Sequence, residues 1–171
     1  MTCMPIRIVA SCSALLAAAA VGIALALEQW EGLAPCALCL LERWPYRIVI
    51  GLGVLALLVG GRAGRIVMWL AVLALAADAA VAFVHVGVEQ GWWPSPLPEC
   101  QAPTFSGGSI AERLASMPAH PAKPCDAPSY LWPAIPVSLA LLNLVFALGF
   151  TCVLAGALAM LPAGPRRRRR R

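Results

Sequence analysis

Cysteine thiols are the residues of this chain best suited to chemistry. A thiolate attacks disulfides, passes on electrons or binds metal, so the surroundings of each cysteine decide its role. The sequence contains seven of them in 171 residues. They are Cys3, Cys12, Cys36, Cys39, Cys100, Cys125 and Cys152.

The segment Pro35-Cys36-Ala37-Leu38-Cys39 is a CxxC motif that precedes a long apolar run. We expect both sulfurs in the first turn of a helix, where unpaired N–H groups create positive potential and favour the thiolate. Zinc ligands use the same spacing, so a structural zinc site remains an alternative. Arg43 follows Cys39 by four residues, and its side chain leans back toward the sulfur. Such a cation would hold Cys39 as thiolate, whereas a zinc site would gain nothing specific from it.

Cys100 and Cys125 form the second pair, in a proline-rich segment. Closing a loop of this size with a disulfide would stabilise the chain by about 3 kcal/mol, so a purely structural bridge is one interpretation. The other is that the bridge lies on a mobile, exposed loop and is open to a partner's thiolate. Between the two cysteines, Ser109 and Glu112 fit a capping box. This predicts a short helix, with an apolar side that lies flat on the membrane.

The remaining ionisable candidates lie within or beside apolar runs. Asp78 and His85 fall in one run, where buried charge is costly and therefore invites a functional role. Arg47 lies one turn beyond Arg43, and we expect it to snorkel to the membrane surface. The other three cysteines, Cys3, Cys12 and Cys152, are predicted to act as small apolar side chains.

The elements that must position these groups are membrane helices. Hydrophobic residues make up 61% of the chain and charged residues only 12%, against roughly a quarter charged in soluble domains. A span needs about 20 apolar residues, so the sequence predicts one all-α domain, a bundle of four transmembrane helices. The predicted spans are residues 8–27, 44–60, 66–88 and 131–161, with loops 28–43 and 89–130 and a basic tail 162–171.

Details of these spans follow from their flanks. A cleaved signal peptide is the alternative for the first run, but the run is as long as a full span and lacks a small-x-small cleavage site. Residues 61–65 are predicted to be a tight turn between the second and third spans. Pro133 and Pro136 belong to the start of the fourth span, where proline is tolerated.

Arginine placement predicts the orientation. Arg7, Arg62, Arg65 and the terminal arginines lie on one side, which by the positive-inside rule is cytoplasmic. Both termini are then cytoplasmic, and the two cysteine-bearing loops face the oxidising periplasm of a bacterial inner membrane. The net charge of +5 resides in the terminal tail, which favours contact with anionic lipid and argues against nucleic-acid binding.

Taken together, these features resemble the DsbB family of membrane disulfide-generating proteins. The resemblance rests on the four spans, on residues 35–43, on His85 ahead of residues 92–96, and on Cys100 with Cys125. It implies an oxidoreductase that reoxidises a periplasmic DsbA-like protein of thioredoxin fold and passes electrons to ubiquinone or menaquinone from the membrane pool. It also implies catalytic roles for Cys36, Cys39, Cys100 and Cys125. Arg43 and His85 would bind the quinone, and no metal would be required.

Two other interpretations were weighed. A vitamin-K-epoxide-reductase-like thiol:quinone oxidoreductase also pairs a CxxC with loop cysteines, but there the CxxC follows the loop pair instead of preceding it. A non-catalytic membrane protein would use the four periplasmic cysteines as one zinc site.

Overall fold

The computed structural model describes residues 4–100, 109–115, 123–131 and 137–161. Of these residues, 79% are helical and none belongs to a β-strand. The all-α class is therefore confirmed. The helices are α1 Met4–Trp30, α2 Ala37–Val59, α3 Gly61–Glu89, α4 Ile110–Ala115 and α5 Leu139–Met160, with a short 3-10 helix at Pro98–Cys100.

Three helices are long and apolar enough to cross a membrane: α1 from Ile6, α3 and α5. With these three spans the chain is a multi-pass membrane protein. The second helix, α2, is also long enough, with 23 residues, but its first turns carry Glu42, Arg43 and Arg47. Because of those charges, α2 is not among the three helices, and its crossing of the membrane stays a prediction.

The helices pack in sequence order. Neighbours α1 and α2, α2 and α3, and α3 and α5 make extensive contacts, whereas α1 and α5 contact each other sparsely. The bundle is therefore open along the α1–α5 boundary. Its main apolar core lies on the inward faces, with Met68 and Leu75 of α3 and Leu158 of α5 fully buried. In water, burial of such a side chain stabilises the fold by about 1.5–3 kcal/mol. Inside a bilayer, van der Waals packing between the helices takes over much of this stabilisation.

The turn between α2 and α3 differs from its prediction. Residues 61–65 are the first helical residues of α3, and the chain reverses at Gly60, whose φ is 58°. Glycine adopts this left-handed backbone without a steric cost. The Gly60 N–H donates to the Ala56 carbonyl at 2.9 Å, and Gly64 donates to the Gly60 carbonyl at 2.8 Å. Gly61 also has a positive φ, 52°, so two glycines suffice for the reversal where the sequence predicted five residues.

The fourth predicted span is helical from Leu139 onward. Ser138 caps it, accepting a hydrogen bond from the Leu141 N–H at 3.2 Å. Pro133 and Pro136 lie outside the described residues, as do the terminal arginines and Cys3. At the end of the bundle remote from the CxxC, Arg65 donates to the Leu161 carbonyl at 3.0 Å.

The short helix predicted between the loop cysteines is present. The Glu112 N–H donates to the Ser109 hydroxyl at 3.3 Å, and Glu112 Oε2 accepts from the Ser109 N–H at 2.7 Å. This reciprocal pair is the predicted capping box. Ile110 is 78% exposed, and the proposed placement of this helix on the membrane surface stays a prediction.

Candidate functional site

The CxxC lies at the beginning of α2. Cys36 is the N-cap residue and accepts a hydrogen bond from the Cys39 N–H at 3.2 Å. The two sulfurs are 2.6 Å apart, so the pair is poised to interconvert between dithiol and disulfide. The pKa of the Cys36 thiol is lowered because its sulfur accepts hydrogen bonds from the Cys39 thiol and from the Cys39 N–H, although burial opposes the shift.

This geometry does not suit a metal. Cys36, Cys39 and His85 offer three ligand atoms within 4.8 Å of one another. Two thiolates on one tetrahedral zinc, each at about 2.3 Å from the ion, would however lie near 3.8 Å apart. The observed 2.6 Å between the sulfurs is shorter than that separation.

Cys100 and Cys125 form a disulfide. In this state neither sulfur is free to serve as a thiolate in a four-cysteine zinc site. The Cys125 N–H also donates to the Cys100 carbonyl at 3.1 Å, which holds the two chain segments together.

The expectation that this bridge is exposed is wrong. Cys100 is 3% and Cys125 1% exposed. The reason is a second apolar cluster, separate from the main core, in which the bridge packs with Cys36, Leu38 and Val88. Cys39, Trp93 and Leu97 border the same cluster. The structure therefore brings all four predicted site cysteines into one place.

Trp93 covers this cluster from the segment after α3. Its ring lies directly over Gly87: a Cβ atom at Gly87 would be 2.0 Å from the ring. The indole N–H donates to the Val84 carbonyl at 3.1 Å, and the ring contacts those of Phe83 and Trp92. A side chain at position 87 would displace Trp93, so glycine is required here by close approach.

Arg43 lies one turn after Cys39 on α2, as its spacing predicts. Its ion pair, however, is with a carboxylate of α1 and not with the Cys39 sulfur. Its guanidinium contacts Glu28 of α1 at 2.7 Å, and its side chain is 11% exposed. The cation is therefore fixed at the α1–α2 boundary by a carboxylate that the sequence analysis did not single out. Arg47 is exposed on the outer surface of α2, with its guanidinium 5.4 Å from the centre of the Trp44 ring.

A cavity of about 320 Å³ opens between α1, α2 and α5. Cys39, Glu42 and Arg43 contribute to its wall, and most of the remaining lining is apolar, including Leu16, Leu142 and Phe146. Its volume is at the lower end of the roughly 300–1,000 Å³ typical of small-molecule sites. The cavity is therefore mostly apolar, with one thiol and one guanidinium in its wall beside the carboxylates of Glu28 and Glu42.

His85 lies on the other side of Glu42 and is not among the described residues that line this cavity. It is 2% exposed, its Nδ1 is 2.7 Å from Glu42 Oε1, and its Nε2 is 3.5 Å from the Cys36 sulfur. The expected contact of His85 with a quinone therefore stays a prediction, whereas its contact with the CxxC is observed.

Glu42 and Asn143 are the site residues that the sequence analysis missed. Asn143 of α5 donates to Glu42 Oε2 at 2.9 Å and accepts from the Tyr46 hydroxyl at 2.7 Å. The available signal was a glutamate three residues after Cys39, on the same helix face as the second cysteine of the CxxC. Asp78 is fully buried, and neither of its carboxyl oxygens has a hydrogen-bond partner among the described residues.

Comparison with known proteins agrees with this site. The sequence profile of the family described as "Disulfide bond formation protein DsbB" matches residues 6–157, which include the CxxC, the loop disulfide, Arg43 and His85. Searches of curated proteins and of solved structures gave no match. The profile covers most of the chain, so this protein belongs to the DsbB family, whose members are thiol oxidoreductases of disulfide-bond formation.

Proposed function

We propose that this protein reoxidises a periplasmic DsbA-like dithiol protein and transfers the electrons, through its two cysteine pairs, to ubiquinone or menaquinone in the bacterial inner membrane. The position of Cys39 carries the proposal. Cys39 packs against the cluster that holds the loop disulfide, and it also lines the cavity beside Arg43. It therefore connects a disulfide with a binding site for an apolar acceptor.

The first step is thiol–disulfide exchange with the partner. A partner thiolate attacks Cys100, forming a mixed disulfide and releasing the Cys125 thiolate. The second partner thiolate then displaces Cys100, so the partner leaves oxidised and the loop pair is left as two thiols. Because Cys100 and Cys125 are buried, docking of the partner must first uncover the bridge.

The second step moves the electrons within the protein. The Cys125 thiolate attacks Cys36 of an oxidised CxxC and releases Cys39, and Cys100 then displaces Cys36. This restores the Cys100–Cys125 bridge and leaves Cys36 and Cys39 reduced. Packing of both pairs in one apolar cluster supports a direct exchange, with no carrier between them.

The third step returns the CxxC to its disulfide. A bound quinone would be the two-electron acceptor. The cavity suits its ring because most of the lining is apolar, and Cys39 and Arg43 lie in the same wall. Arg43 would stabilise negative charge that develops on the acceptor. A second apolar cavity of about 450 Å³ adjoins the first, sharing Leu16 and Phe146, and offers a path along α1 and α5 for an isoprenoid tail.

Trapping of the partner tests the first step. A Cys125→Ser variant keeps Cys100 as a free thiol, so with diamide as the two-electron oxidant Cys100 should form a stable mixed disulfide with a DsbA-like protein that retains only its attacking cysteine. The matched control is Cys152→Ser, which removes an exposed thiol of α5 and should leave the intact bridge to exchange without trapping. A covalent complex through Cys100, mapped by mass spectrometry, supports the proposal. No complex, or one through Cys12 or Cys152, would overturn it.

A further inference from the structure

A buried chain of hydrogen bonds runs from the CxxC to the cavity wall. It begins at the Cys36 sulfur, 3.5 Å from His85 Nε2, and continues from His85 Nδ1 to Glu42 Oε1 at 2.7 Å. Glu42 is 6% exposed as a residue, yet it also contributes to the lining of the cavity. Glu42 is thus the one described residue that contacts both His85 and the cavity.

The reaction proposed above needs such a connection. Oxidation of two thiols to a disulfide releases two electrons and two protons, and reduction of a quinone to a quinol takes up both. Cys39 lines the cavity and loses its proton there, but Cys36 lies behind it, 4% exposed. The Cys36 proton therefore needs a separate path to the cavity.

We propose that Glu42 carries the Cys36 proton to the cavity through His85; this rests on the proposed function. An ionised carboxylate only accepts hydrogen bonds, so His85 holds its proton on Nδ1 and presents a bare Nε2 to the Cys36 thiol. Cys36 gives its proton to Nε2, and Nδ1 gives its own to Glu42 Oε1. Glu42, now neutral, releases that proton into the cavity, where the electron pair also arrives.

The surroundings of Glu42 hold it in place for this role. Asn143 donates to the second carboxylate oxygen at 2.9 Å and is itself fixed by the Tyr46 hydroxyl. One carboxylate oxygen, Oε1, therefore faces His85, while the other, Oε2, is held by Asn143 of α5. The ion pair of Arg43, the next residue in sequence, is with Glu28 of α1.

Other charged or titratable groups also face His85 and Glu42. Glu89, one turn after His85 on α3, has Oε1 4.0 Å from His85 Nε2, and its other oxygen is buried without a partner. Cys36 and Cys39 face His85 from the start of α2. Asp78 of α3 is close enough to Glu42 for the two carboxyl groups to interact electrostatically. Of the two carboxylates against His85, only Glu42 lines the cavity, so Glu89→Gln is a matched control for Glu42→Gln.

The kinetic test compares these two variants with the wild type. Glu42→Gln should lower kcat by roughly 100-fold, the usual contribution of a positioned proton carrier, with the KM for the quinone unchanged. Its solvent deuterium isotope effect should rise, its pH profile should flatten, and Glu42→Asp should regain part of the rate. Glu89→Gln should stay near the wild-type rate. Equal losses in both Gln variants, or none in Glu42→Gln, would overturn the relay.

A second measurement needs no quinone. The sequence contains only two histidines, so nitrogen NMR of labelled histidine, in a His120→Gln background, reports His85 alone. We expect the Nδ1–H form in the wild type and in Glu89→Gln, and a weaker preference for it in Glu42→Gln, because a neutral amide oxygen is a weaker acceptor than a carboxylate. An Nε2–H form in the wild type would overturn the relay even if Glu42→Gln failed to fold. A wild type inactive with every quinone, but with the expected histidine form, would count against the proposed function alone.

Discussion

The Arg43 guanidinium lies 2.7 Å from the Glu28 carboxylate, so the cation beside the CxxC is held by the end of the preceding helix. Both residues line the cavity that Cys39 borders. Pairing with Glu28 fixes the orientation of the guanidinium before any ligand enters, and it leaves the remaining N–H groups free to donate. Glu28 therefore holds the Arg43 guanidinium in place at the cavity wall.

Glu28→Gln should accordingly weaken binding of the acceptor. The amide still accepts a hydrogen bond but no longer fixes the charge, so we expect the KM for the quinone to rise roughly tenfold, or about 1.4 kcal/mol, with kcat nearly unchanged. Initial rates of quinone reduction at varied quinone concentration measure both constants. Glu31→Gln, at an exposed acid just after α1, is the control and should behave as wild type. A fall in kcat at constant KM would show that Glu28 does not act through binding.

Gly87→Ala should disturb the cover of the cysteine cluster. The added methyl group would lie 2.0 Å from the Trp93 ring, so the ring must move, and overpacking of this kind costs about 1–3 kcal/mol. We expect the Cys100–Cys125 bridge to become reducible by a small dithiol about tenfold faster or more. Gly51→Ala on α2, where a Cβ meets nothing within 4 Å, is the matched control. Unchanged reduction rates in Gly87→Ala would show that Trp93 does not protect the bridge.

The sequence was informative about residue types and helix positions, and less so about side-chain partners. Apolar runs and a capping box are patterns of residues that are close in sequence, so the all-α class and α4 could be predicted. The burial of Cys100 and the pairing of Arg43 with Glu28 depend on how separate segments meet, which no single stretch of sequence displays. The same holds for Glu42: its neighbours in sequence say nothing of His85 and Asn143, which reach it from α3 and α5.

The pH dependence of Cys36 tests the hydrogen bond within the CxxC. The lowered pKa of Cys36 means that its thiolate persists at lower pH than for an ordinary cysteine and is lost as pH falls through that pKa. Cys39→Ala removes the thiol donor, the largest cause of the lowered pKa, and keeps the backbone N–H donor, so burial is less opposed and the midpoint of Cys36 alkylation should move to higher pH. Alkylation by iodoacetamide, quantified by peptide mass spectrometry, follows this midpoint. Cys152→Ala should not shift it, and a midpoint that stays or falls in Cys39→Ala would contradict the assignment.

Asp78→Asn should leave thermal stability unchanged or raise it. Both carboxyl oxygens of Asp78 are buried without a hydrogen-bond partner in the part of the chain that the structure describes, so the desolvation cost of the group is poorly compensated. The amide is of the same size and cannot ionise, so the cost of burial falls. Thermal unfolding in detergent, followed by circular dichroism, measures the change. A clear loss of stability would mean that the carboxyl group makes a contact essential to the fold.

The central claim is that electrons pass from a dithiol protein through both cysteine pairs to a quinone. Anaerobic quinone reduction by the purified protein, followed by absorbance with a reduced DsbA-like protein as donor, tests it most directly. We predict turnover by the wild type and its loss in each single serine variant of Cys36, Cys39, Cys100 and Cys125, with Cys12→Ser and Cys152→Ser active. A wild type that fails to reduce either ubiquinone or menaquinone, or turnover that survives removal of one of the four cysteines, would contradict the account.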